Sequence, residues 1–166
     1  MGEVVNPWIH ILAATIWVGP QVFMFVAAVP AVRTIEDMQV RTRVMRVITK
    51  RFNSLAWGAM AVLVVTGIAN LYEEDLDIDQ LFDLNFGVVF QVKMTLLIAT
   101  VVLTGLHSFV IGPRVLSMQE AAVDADEIAP VRRWSIIVSA VNMLIALGLV
   151  FCGALLSSDW ALEKGF

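Results

Sequence analysis

Residues 84–113, LNFGVVFQVKMTLLIATVVLTGLHSFVIGP, carry one charged side chain, Lys93, in an otherwise uninterrupted apolar run. A helix needs about 20 residues to cross about 30 Å of hydrocarbon, so this stretch is long enough to span a bilayer. Three further runs, 7–32, 52–72 and 134–158, contain no Asp, Glu, Lys or Arg at all. The whole chain of 166 residues is 59% hydrophobic and 16% charged, with a mean hydropathy of +0.82. Soluble domains are roughly half apolar and about a quarter charged. That balance excludes a soluble single-domain enzyme. Cys152 is the only cysteine, which excludes a disulfide module, and a net charge of −4 gives nothing to a nucleic acid.

The runs do not alternate as barrel strands would, and in lipid only closed barrels and helices satisfy the backbone internally. The expected fold is all-α: a polytopic, antiparallel bundle of four transmembrane helices at about 7–32, 52–72, 86–112 and 134–158. Short polar segments, 33–51, 73–83 and 114–133, join them. The first run is no cleavable signal, since it lacks a basic n-region and its apolar stretch is too long. Six basic residues (Arg33, Arg41, Arg43, Arg46, Lys50, Arg51) stand in the first segment and three (Arg114, Arg132, Arg133) in the third. The opposite side has only Lys164. By the positive-inside rule both termini are expected outside the cytoplasm. The other loop is acidic, with Glu73, Glu74, Asp75, Asp77, Asp79 and Asp83. Trp8, Tyr72 and Trp160 suit one interfacial belt and Trp134 the other. Pro7 is expected to open the first helix, and Pro30 and Pro113 to end helices. Segment 36–51, which mixes charged and aliphatic residues, is expected to be a solvated basic loop, with a cytoplasmic or interfacial helix as the alternative.

Polar residues inside the spans are the candidates for function, because ionisable groups are costly in lipid and usually face the bundle interior. On the first helix His10, Trp17, Gln21 and Met24 fall at offsets 0, 7, 11 and 14, which is one stripe at 3.6 residues per turn. On the third, Lys93, Thr100, Thr104 and His107 fall at the same offsets. The fourth offers Ser135, Ser139 and Asn142, and the second Thr66 and Asn70. His10 and Lys93 belong to the outer leaflet. His107 lies fourteen residues beyond Lys93, roughly 21 Å deeper, so His10 and His107 of one chain cannot ligate one haem together. Each group also has a plain structural reading: His10 at the interface, Lys93 snorkelling outward, and Thr100, Thr104, Ser139 and Asn142 joining helices.

The run His10-Ile-Leu-Ala-Ala-Thr-Ile-Trp17-Val-Gly19 resembles the first helix of the copper-resistance protein D (CopD) family. So do Arg51-Phe52 with Ala56-Trp57, Thr66-Gly67-Ile68-Ala69-Asn70, Lys93, and His107-Ser-Phe-Val-Ile-Gly112-Pro113-Arg114. The resemblance implies a single CopD-like membrane domain over 1–166. His10, Trp17, Gly19 and Lys93 are also similar to the pattern of the HemJ-type protoporphyrinogen oxidases, from which Pro20-Gln21-Val22-Phe23-Met24 departs. Two chemistries are implied. The first is b-type haem within the bundle serving redox or electron-transfer chemistry, with His10, Lys93, His107, Trp17 and Gln21 as cofactor-binding residues. Two copies related by a twofold along the membrane normal could share such a haem between their His10 side chains. The second is copper transport or resistance, with His10, His107 and Met24 as metal ligands. The residues place haem slightly ahead, since the methionines are scattered and soft ligands in series are what copper(I) prefers. A third expectation is an accessory subunit of a larger membrane complex, its acidic 73–83 loop docking a basic soluble partner. Charge runs are more often simply solvated.

Overall fold

The computed structural model describes residues 2–73 and 85–163, and among these every regular element is a helix. Helix α1 occupies residues 2–33, α2 is Met38–Glu73, α3 is Asn85–Glu120 and α4 is Ala125–Leu156. A short 3-10 turn, Asp159–Leu162, follows. All four helices are long and apolar enough to cross a membrane. The acidic stretch 74–83 lies outside the described residues.

The helices are longer than the apolar runs that seed them. At 36 residues, α2 measures about 54 Å against about 30 Å of hydrocarbon. Segment 38–51 is thus a helical extension and not the expected loop. Asp37 starts it: its carboxylate accepts the backbone N–H groups of Gln39 (2.8 Å) and Val40 (3.1 Å), as an N-cap does. No Gly or Pro interrupts the segment, and its inward stripe is covered by the end of α3. Thr42 is buried there, with Val44, Met45 and Ile48 half-buried. Arg46 pairs with Glu120 across this contact.

Proline placement also differs from expectation. The helix begins at Gly2, so Pro7 lies within α1. Neither Pro30 nor Pro113 ends a helix. Each follows one widened π-helical turn, Met24–Ala28 before Val29-Pro30 and His107–Ile111 before Gly112-Pro113. Proline cannot donate to the carbonyl four residues back and its ring crowds it; an inserted residue widens the turn and lets the helix continue.

The first two helices pack as one antiparallel pair and the last two as another, while α1 also touches α4 and α2 touches the end of α3. Asn6 bonds Asn70 at one end, where Asn85 also bonds the Trp160 carbonyl. That end carries the first and last described residues and is called the terminal end; the other is the basic end. Where the four helices meet, Trp17, Ala56, Ala59, Met60, Ala146 and Leu149 form the buried core. Its alanines let backbones approach, as small residues do in membrane bundles. Outward-facing Ile98, Val102, Phe109, Leu144 and Phe151 are exposed, as suits a surface in contact with lipid. Trp8, Trp134 and Trp160 are exposed near helix ends. Among the described residues, two buried side-chain atoms lack a hydrogen-bond partner: Thr42 Oγ1 and Trp57 Nε1.

Candidate functional site

The polar side chains sort into three layers along the bundle. At the terminal end α1 meets α2 through His10, Thr66, Asn6 and Asn70. The Thr66 hydroxyl lies 2.7 Å from the Val62 carbonyl and 2.7 Å from His10 Nδ1. Two oxygens this close need a proton between them, and a hydroxyl has only one to donate. Thr66 therefore donates to Val62 and accepts from His10. His10 carries its proton on Nδ1, which leaves the lone pair on Nε2. The ring lies against α2 at Gly67, where a Cβ would stand 3.4 Å from His10 Cε1, an ordinary contact. Asn6 Nδ2 donates to Asn70 Oδ1 at 2.6 Å and to the Thr66 carbonyl at 3.3 Å, fixing the two helices around the histidine. Lys93 is half-buried on α3, eight residues from Asn85 at this same end.

The middle layer is a closed hydrogen-bonded cluster. Asn142 on α4 accepts from the Thr100 hydroxyl (3.0 Å) and donates to Gln21 (3.3 Å) and Thr104 (3.2 Å). Gln21 in turn donates to the Trp17 carbonyl. Thr100 is 0% exposed. Three helices, α1, α3 and α4, are tied here by residues whose polar groups find partners within the cluster, as burial in lipid demands.

The third layer lies toward the basic end. His107 opens the π-helical turn of α3, and its Nδ1 is 3.3 Å from Ser139 on α4. Its neighbour Ser108 donates to Asn53 of α2 (3.2 Å), and Trp57 stacks on Phe109 with ring centroids 5.6 Å apart. Met24 opens the corresponding turn of α1. Among the described residues no three His, Cys, Asp or Glu side chains converge as a metal centre would require.

Of the residues expected from sequence, His10 and Lys93 share one layer, Trp17 and Gln21 join the core and the middle cluster, and His107 and Met24 fall at the third. Asn6, Asn53, Ser108 and Met60 were not anticipated. Asn6 precedes Pro7 in what reads as a tail. Asn53 abuts the basic segment. Met60 looks like any aliphatic residue.

The copper resistance protein D family model matches residues 46–156, most of the chain. The chain belongs to the copper resistance protein D family. It is a multi-pass membrane protein of that family, with four spanning helices. No curated protein and no solved structure matches it significantly.

Copper and haem make different demands on this copper resistance family bundle. A porphyrin within the four helices would have to displace the Trp17–Met60–Leu149 core and the Asn142 cluster beneath it. The two histidines stand in different layers, so one porphyrin could not take both. The packed interior does not fit that group. A single metal ion needs only a lone pair and a small gap, and His10 Nε2 supplies the lone pair.

Proposed function

We propose that this protein carries copper, as the copper(I) ion, through the membrane, and that His10 Nε2 at the terminal end is its first ligand. The observation that supports the reading is the Thr66 hydrogen bond, which in the neutral imidazole favours the tautomer protonated on Nδ1 and leaves Nε2 able to ligate, in a chain of the copper resistance family. Imidazole suits copper, and a ligand with few companions releases its ion again, as a carrier must. Copper here is cargo.

The test is copper accumulation in cells expressing the protein against His10→Ala at equal membrane abundance. The wild type changes cell-associated copper and the variant does not. Equal copper in both would remove His10 from the role. A reduced-minus-oxidised spectrum of the same membranes checks the haem alternative: a Soret band present in the wild type and absent from His10→Ala would assign the histidine to haem instead.

A further inference from the structure

The stripes on α1 and α3 are the same stripe twice. His10 and Lys93, Trp17 and Thr100, Gln21 and Thr104, and Met24 and His107 are each 83 residues apart (from 10 to 93, from 24 to 107). So are the prolines, Pro30 and Pro113, and the π-helical turns Met24–Ala28 and His107–Ile111. On the return helices the same interval joins Ala59 to Asn142, both buried. Packing repeats as well: α1 lies on α2 as α3 lies on α4, and α1 meets α4 as α3 meets α2. The molecule is two helical hairpins related by an approximate twofold along the bundle, the parallel form of internal repeat found in membrane carriers.

In such an arrangement, equivalent residues sit at one depth on either side of the axis, and sites form between the repeats. The middle layer shows this directly, since Gln21 and its equivalent Thr104 both bond the one amide group of Asn142. Three residues further toward the basic end on each helix come Met24 and His107, on the same stripe. Ser139, three residues from Asn142 on α4, marks that next layer by its contact with His107. Both residues are half-buried, and each opens a π-helical turn, a local widening that recurs at functional sites.

We infer that Met24 and His107, equivalent residues of the two hairpins, form a nitrogen–sulfur site for one copper(I) ion beneath the Asn142 cluster. A thioether and an imidazole are the donors that soft, monovalent copper accepts. The inference rests on the copper reading, and it gives that reading a second station on the basic side of the middle cluster. The repeat supplies the geometry and its divergence supplies the chemistry: the paired positions hold Met in one hairpin and His in the other.

The experiment uses full-length protein carrying His10→Ala, so that the terminal-end ligand is absent, titrated with copper(I) against a chromophoric chelator. One ion binds, and X-ray absorption shows sulfur and nitrogen in its shell. Adding Met24→Leu removes the sulfur and weakens binding by at least about tenfold; adding His107→Phe removes the nitrogen and keeps the sulfur. Sulfur scattering that survives Met24→Leu, or no copper bound to the His10→Ala protein while the wild type binds it, overturns the inference and leaves the copper reading standing. A copper-independent arm tests the geometry alone. In a Cys152→Ser chain, Met24→Cys with His107→Cys takes up one mercuric ion bridged by two sulfurs. Mercury bound through one sulfur only would mean that the two positions do not face each other, which also overturns it.

Discussion

Thr66 shows how much one side chain decides. Its single proton goes to the Val62 carbonyl, so the hydroxyl accepts from His10 and sets the tautomer. It acts as a positioning residue for His10. Replacing it by Val keeps the shape and removes the acceptor, while Ser keeps the acceptor. Nitrogen-15 NMR of the imidazole should show Nδ1–H in the wild type and Thr66→Ser, and a mixed or shifted tautomer in Thr66→Val, with copper accumulation falling in step. An unchanged imidazole spectrum in Thr66→Val would sink the assignment. Asn142 makes a different case at the same scale. Asn142→Leu strands Thr100, Gln21 and Thr104 together. With membrane hydrogen bonds averaging about 0.6 kcal/mol, the loss of three costs roughly 2 kcal/mol. Unfolding in mixed micelles should register it, and a change below about 0.5 kcal/mol would show the cluster to be dispensable. The stripe containing these residues is visible in the sequence, because a period of 3.6 sorts them onto one face. Which of them bond one another is not, since that depends on how α1 and α4 are rotated.

The helices themselves owe their unexpected features to single residues with fixed geometry. Gly112 closes the π-helical turn opened by His107, and a Cβ added there would stand 2.9 Å from the His107 carbonyl oxygen. Backbone must move to admit it, so Gly112→Ala should cost about 1–3 kcal/mol in unfolding free energy. Gly105, two residues before His107, has nothing within 4 Å of such a Cβ. Gly105→Ala is the control and should be neutral or slightly stabilising, by up to about 1 kcal/mol. Equal effects at the two glycines would remove the special role of the turn. The end of α3 offers the converse. Ala122 has φ of 50°, where the Val123 N–H returns to the Met118 carbonyl in the manner of a Schellman cap. Only glycine adopts that region without penalty, so Ala122→Gly should raise stability by about 1 kcal/mol, read as a higher midpoint of thermal unfolding. Pro30 and Pro113 are plain in the sequence as interruptions. Whether a proline ends a helix or is absorbed depends on the packing beyond it, and here segments 29–33 and 112–120 have α2 and α4 to lie against.

At the scale of the whole molecule, the four spans were legible because hydrophobic length alone separates a membrane helix from other elements. The basic ends of the helices were not. Segment 38–51 carries charge that reads as loop, and only the Asp37 cap, the buried Thr42 and the Arg46–Glu120 pair make it helix. That exposed pair contributes well under about 1 kcal/mol, so the extension owes its order to packing and capping more than to the ion pair. The twofold repeat escaped sequence reading for a related reason: few residues coincide at the interval, and what repeats is placement of prolines and of the polar stripe. The charge asymmetry carries a last prediction, on direction. Arg33 through Arg51 and Arg114 through Arg133 lie at one end, so that end should face the cytoplasm and His10 the opposite side. In a Cys152→Ser chain, Asp159→Cys at the terminal end should react with a membrane-impermeant maleimide in intact cells. Arg43→Cys at the basic end should react only after permeabilisation. Both positions are exposed, so access alone decides the outcome. The reverse pattern would place His10 on the cytoplasmic side, and copper entering at that histidine would then be leaving the cell.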